Sequence, residues 1–131
     1  MLRLGITVLG VTDIPRAVSF WTQALDLVAT EEWQSETWRT LNHADGSGRA
    51  LGLLRSDSPA EPRPRLHLDL FTDTREEQQA EVERLVSLGA QRVDWPLYPP
   101  SPDFTVLADP DDNLLCVVDL SHAPSGGGLS P

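Results

Sequence analysis

The residue types best suited to chemistry stand close together in the run Arg65-Leu66-His67-Leu68-Asp69-Leu70-Phe71. Leu66, Leu68 and Leu70 alternate with His67, Asp69 and Phe71, so a strand here puts leucines on one face and an imidazole, a carboxylate and an aromatic ring on the other. Near neutral pH an imidazole serves as general acid, general base or polar contact, and a carboxylate two residues on can share its proton or take a donor from a ligand. His67 and Asp69 are therefore the candidate catalytic pair and, with Phe71, candidate ligand contacts. The structural alternatives are a hydrogen-bonded histidine and a salt bridge from Asp69 to Arg65 or Arg39.

Other side chains are weighed the same way. Cys116, the lone cysteine, sits in the apolar run LLCVVDL, where a free thiol is either a ligand contact or a small core hydrophobe. Trp33, Trp38 and Trp95 are candidate aromatic walls for a ligand, or seals of a core or dimer contact, while Trp21 falls on a helix stripe and reads as core. The turn Asp109-Pro110-Asp111-Asp112-Asn113 gathers carboxylates but lacks the bend glycine and distant bidentate glutamate of a calcium loop, so it reads as a hairpin turn. His43, beside Asp45-Gly46, reads as a loop residue. The sequence holds no serine elbow, phosphate loop, Rossmann glycines or zinc-knuckle spacing.

Composition bounds the function. Twenty acidic against ten basic residues give a net charge of −10, which repels phosphate backbones and makes nucleic acid an improbable partner. That charge would attract a cationic ligand, although its common role is solubility. No apolar run approaches the roughly 20 residues of a membrane helix, and the opening MLRLGITVLGV lacks the parts of a signal peptide. A single cysteine forms no intramolecular disulfide, so a cytoplasmic protein is expected.

The elements that position these residues form an internal echo. Strand-like runs at Leu2 to Val11 and Arg65 to Phe71 each lead to a helix start. Ile14, Ala17, Val18, Trp21 and Leu25 mark one face of the first helix after Asp13, with Pro15 in its first turn. Val82, Leu85 and Val86 mark the second, after Asp73 or Thr74, with Gly89 as its left-handed stop and a length about one turn greater. Strand-like segments Leu27 to Trp33 and Ala90 to Trp95 follow. Two hairpins, Glu36–Leu41 with Ala50–Leu54 and Phe104–Leu107 with Leu114–Leu120, complete two βαβββ halves. The expected organisation is module one over 1–55, a linker over 56–64, module two over 65–120 and a disordered tail over 121–131 that includes His122, the whole forming a single domain. Pro96 to Pro102 reads as a loop.

The segments VTDIPRAVSFWTQALDL, HLDLFTD, VERLVSLGA and VLADPDDNLLCVVDL resemble the vicinal-oxygen-chelate superfamily, which includes glyoxalase I, extradiol dioxygenases, methylmalonyl-CoA epimerase and bleomycin-sequestering proteins. The resemblance spans residues 3–120 and is specific for the fold and a glyoxalase-like subgroup rather than for a substrate. It implies an α+β fold in which two βαβββ modules build a curved mixed sheet, with helices outside and a small-molecule pocket inside. It also implies four inward metal ligands, one on the first and one on the last strand of each module. Matched position by position, those slots fall on Ile6, near Gly52, on His67 and on Cys116. Only His67 is an orthodox donor and Cys116 is chemically suitable as a thiolate, so a metal centre would need help from His43, Asp69 or a second chain.

The expectation is therefore a glyoxalase-like protein that binds a small organic molecule, with no cofactor required and a divalent metal as the alternative, held if present by His67 and Cys116. Two other functions stay open: a metal-dependent lyase, isomerase or dioxygenase, and an antibiotic-sequestering resistance protein. The resemblance also implies a homodimer.

Overall fold

Each half of the chain turns from strand to helix at a side chain that caps the helix. Asp13 accepts a hydrogen bond at Oδ1 from the Arg16 N–H, 3.0 Å away, and Thr74 accepts at Oγ1 from the Glu77 N–H at 3.1 Å. These bonds satisfy amides that have no partner within the helix. Glu77 reaches back to the Asp73 N–H, so the second helix start is secured from both sides.

The computed structural model describes residues 1–122, and the chain divides into two units at Pro59/Ala60. The first unit runs β1 (Thr7–Val11), α1 (Ile14–Leu25), β2 (Leu27–Ala29), β3 (Trp38–His43) and β4 (Arg49–Arg55). The second runs β5 (Leu68–Thr72), α2 (Arg75–Leu88), β6 (Gln91–Arg92), β7 (Phe104–Ala108) and β8 (Leu114–Asp119). Each unit is βαβββ with one helix on a four-stranded mixed sheet. The strand orders are β1-β4-β3-β2 and β5-β8-β7-β6, with the first pair of each parallel and the rest antiparallel.

Several strands are shorter than their sequence suggests. Leu2 and Leu4 lie outside β1 and are exposed, β2 stops at Ala29 rather than Trp33, and β6 is two residues long. Apolar composition alone cannot say where a strand runs out of pairing partners. The second helix has 14 residues to the first one's 12, about half a turn more rather than a whole one. It stops at Gly89, whose φ of 123° few other residues tolerate.

The buried stripe on α1 is Ile14, Ala17, Phe20, Trp21 and Ala24: Phe20 and Ala24 join the predicted set, Val18 and Leu25 at its margins are only half-buried, and the Phe20 ring meets that of Trp21 edge-on at 5.1 Å. Trp21 is core, as its spacing suggests, and Leu41 and Leu53 are fully buried with it. Burial of each such side chain stabilises the unit by about 1.5–3 kcal/mol.

In the second unit α2 packs on β8 and β5. Gln78 ties the two layers, its amide donating to the Val117 carbonyl at 2.9 Å and to that of Asp103 at 3.2 Å. Gln78, Val82 and Thr105 line one groove, so α2 covers the face that carries Thr105 and Val117. The opposite face carries Phe104, Val106, Cys116 and Val118, which form one apolar cluster with Trp95.

Candidate functional site

The connection over residues 93–103 determines what the second sheet face becomes. Val93, Trp95 and Leu97 pack against the cluster on that face. Tyr98 anchors the return, its hydroxyl oxygen accepting the Val106 N–H at 2.7 Å and its ring meeting Phe104 at 5.3 Å. At the far end of β8, Asp109 accepts at Oδ1 from the N–H groups of Asp111 (2.9 Å) and Asn113 (2.8 Å), and Asp112 takes the left-handed conformation at φ 67°. The acidic turn is thus the hairpin expected from its sequence, and it sets the register in which Cys116 enters β8.

That register builds the site. Asp69 is the parallel-ladder partner of Cys116, while His67 stands just before β5, which begins at Leu68 rather than at Arg65. His67 Nε2 lies 3.1 Å from Asp69 Oδ1, and their side chains are 23% and 33% exposed. The nitrogen, oxygen and sulfur ligand atoms of His67, Asp69 and Cys116 all lie within 4.8 Å of one another. The partner of Asp69 is therefore His67, not Arg65 or Arg39. No other ion pair involves Asp69 among the described residues.

Cys116 is fully buried beneath this pair. Burial foremost, then the charge of Asp69 and the hydrogen bond to it, then the charge of Asp103, push its thiol up to about 12. By itself the sulfur is therefore protonated and donates to the Asp69 carboxylate. The result is a short chain of thiol, carboxylate and imidazole with its outer end open to solvent. Such a chain can orient a polar ligand or hold a proton. Phe71, 66% exposed, follows on the same face, and the buried Trp95 indole N–H in the adjoining cluster has no acceptor.

The first unit carries a counterpart in the same register with none of the donors. Val8 pairs with Gly52 across the parallel ladder where Asp69 pairs with Cys116, and Ile6 stands two residues before Val8 where His67 stands before Asp69. A Cβ added at Gly52 would lie 2.4 Å and 2.9 Å from the Trp38 ring and 3.1 Å from the Ile6 side chain. The ring is held there by its N–H, which donates to Thr40 Oγ1 at 2.9 Å. The indole fills the space a donor at position 52 would need. The four-ligand metal set implied by resemblance therefore does not fit this chain: two of its slots hold an isoleucine and a glycine roofed by tryptophan.

The remaining sequence candidates are scattered. Trp33 stands 73% exposed in the β2–β3 connection at a φ of 62°, and Trp38 belongs to the first unit. His43 closes an exposed turn, where its backbone N–H donates to the Gly48 carbonyl. His122 is within hydrogen-bonding distance of Ser101, and Ser121 donates to Asp119; residues 123–131 of the expected tail lie outside those described. Sequence reasoning did not find the contact between Asp69 and Cys116, because it depends on the register of a parallel pair joined by a long crossover. It also missed the Trp38 roof, whose one signal is a glycine in the middle of the apolar strand β4.

Comparison with known proteins places this geometry in context. The glyoxalase-like domain profile matches residues 6–118. The chain is similar to a glyoxalase/bleomycin resistance protein/dioxygenase family enzyme from Burkholderia phytofirmans PsJN, with 18% identity, a TM-score of 0.69 and coverage of 91% of this chain and 99% of that one. It is similar to a protein from Agrobacterium tumefaciens at 21% identity and a TM-score of 0.69, covering 91% and 98%. It is also similar to a genomically encoded fosfomycin resistance protein from Listeria monocytogenes at 18% identity and a TM-score of 0.67, covering 90% and 91%. At these identities the likeness is one of fold. No curated protein matches the sequence.

Proposed function

Because the chain belongs to the glyoxalase-like domain family of the vicinal-oxygen-chelate superfamily, we propose that it binds a small organic molecule on the sheet face of its second unit. His67 and Asp69 are the polar contacts and Phe71 the apolar one. The observation that carries this is the paired imidazole and carboxylate, 3.1 Å apart and both reaching solvent, on a face otherwise lined by apolar side chains. A few convergent polar groups against an apolar wall are the usual make-up of a ligand site.

The pair also supplies chemistry. With Asp69 as its acceptor, the His67 ring is oriented, and its other nitrogen is free to exchange a proton with a bound molecule. Neither role uses a donor from the first unit. The lone cysteine supports a reducing, cytoplasmic setting, and the family resemblance a homodimer; no helix among the described residues is long and apolar enough to cross a membrane.

A thermal-shift panel of small polar organic molecules tests the proposal. It should include fosfomycin, because a resistance protein shares the fold, and flat cationic antibiotics, because the net charge is −10. A ligand at a hundred times its Kd stabilises the native state by about 2.7 kcal/mol. The expected result is a hit whose affinity falls at least about tenfold in both His67→Ala and Asp69→Asn, since each removes a charged or polar contact of about 1.5 kcal/mol or more. A hit bound equally well by both variants contradicts it.

A further inference from the structure

We infer that the ligand of the second-unit face is an uncharged amide (a carboxamide, lactam or urea) whose carbonyl oxygen accepts from the Trp95 indole N–H and whose own N–H donates to Asp69. This rests on the reading of His67 and Asp69 as the polar contacts of the site, and it names the ligand class which that reading leaves open.

Trp95 is 6% exposed, and its indole N–H is buried without an acceptor. An indole nitrogen donates and never accepts, so only an acceptor can satisfy it. The Trp38 indole, which lies over Gly52 in the first unit, differs in donating to Thr40 Oγ1 at 2.9 Å. Trp95 is fixed by its surroundings: its backbone N–H donates to the Val93 carbonyl at 2.9 Å, and its ring packs with Phe104, Val106, Cys116 and Val118. The Cys116 sulfur lies within 4.8 Å of the polar atoms of His67 and Asp69, so the cluster that holds the unmet donor adjoins the polar pair. Buried donors are nearly always paired in native proteins, and one left open beside a ligand site marks a place for a ligand acceptor.

Charge decides what carries that acceptor. The carboxylates of Asp69 and Asp103 both act on the Cys116 thiol, so two negative groups bear on this face. Asp69 only accepts, and its two oxygens offer about four lone-pair positions, of which His67 and the Cys116 S–H use two. It has room for a further donor, and a positive charge on His67 is offset by Asp69 at 3.1 Å. A carboxylate or phosphonate would set its charge against Asp69 and Asp103, while an ammonium has nothing to offer Trp95. An amide supplies N–H and C=O on one planar, uncharged group. The apolar remainder of the molecule meets Phe71 and Leu97 at the margin of the cluster.

Matched pairs of probes decide this on full-length protein, by thermal shift and ¹H–¹⁵N NMR: benzamide against benzoate, and cyclohexanecarboxamide against cyclohexanecarboxylate. Each amide is expected to bind at least about tenfold more tightly than its carboxylate, since juxtaposed like charges cost that much or more. It should also move the Trp95 indole proton downfield and leave that of Trp38 in place. Trp95→Phe keeps most of the apolar bulk and should weaken the amides about fivefold, the loss of one neutral hydrogen bond. Asp69→Asn removes the repelling charge and should narrow the preference for amide over carboxylate by about tenfold, a change that lost packing would not produce. Fosfomycin, an anionic phosphonate, is a poor ligand on the same grounds. Circular dichroism verifies that each variant is folded. Carboxylates that bind as well as their amides, or amides that bind Trp95→Phe as tightly as wild type while still weakened by His67→Ala, overturn the inference and leave the wider reading of the site standing. So does failure of the amides to bind at millimolar concentration when another small molecule binds through His67. Amides that bind but are indifferent to His67→Ala, Asp69→Asn and Trp95→Phe alike overturn both.

Discussion

A glutamate introduced at position 52 is expected to destabilise the protein by about 3 kcal/mol, the upper part of the range for an overpacked site, and to create no metal ligand. Position 52 is one of the slots where the superfamily resemblance implies a metal ligand, so a carboxylate placed there would be expected from the fold alone to raise metal affinity. The structure predicts the reverse. The new Cβ would fall 2.4 Å and 2.9 Å from the Trp38 ring, and that ring cannot swing away without breaking its hydrogen bond to Thr40. Urea unfolding checks the result: wild-type stability in Gly52→Glu, or a gain in Co²⁺ affinity, would show that the roof over this slot yields. At about 3–5 °C per kcal/mol for a chain of this size, the melting temperature should fall by roughly 10 °C.

The second large effect is at Trp95. Truncation to alanine removes a buried ring from the cluster of Phe104, Val106, Cys116 and Val118 and is expected to cost about 3–5 kcal/mol. Trp95→Phe separates packing from hydrogen bonding. It keeps most of the apolar volume and deletes an N–H that has no acceptor, so its stability should lie within about 1 kcal/mol of wild type, because an unmet buried donor is itself a cost of that order. If the indole N–H serves a bound oxygen, the same variant should weaken whatever occupies the His67 site while leaving stability intact. Chemical denaturation of both variants tests the first part. A loss in Trp95→Phe comparable to that in Trp95→Ala would mean that the indole nitrogen already has a partner.

These two residues show where sequence suffices and where it stops. The repeat, both helices, their caps and the assignment of Trp21 to the core follow from periodicity and capping chemistry, which act over a few residues. The two-residue spacing of His67 and Asp69 made their contact at 3.1 Å foreseeable, although His67 falls just outside the strand that its alternation with leucines suggests. Strand ends are less legible, because whether Leu2 to Ile6 or Thr30 to Trp33 pair depends on partners elsewhere. The contact of Asp69 with Cys116 spans 47 positions of sequence and a helical crossover, and no local signal sets its register. The asymmetry between units also needs the structure. Ile6 and Gly52 are visibly poor donors in the sequence, but only packing shows that Trp38 closes the slot.

In the proposed reading, the His67–Asp69 pair of the second unit carries the donor chemistry and the first unit supplies none. The most direct test is two-dimensional ¹H–¹⁵N NMR of labelled protein titrated with benzamide, following backbone amides and the four indole N–H signals. The predicted result is saturable shifts concentrated in Leu68–Thr72 and Leu114–Asp119 and at the Trp95 indole, with Trp38 and the amides around Gly52 unmoved. Shifts centred on Ile6, Trp38 and Gly52 would place the donors in the first unit and contradict the claim.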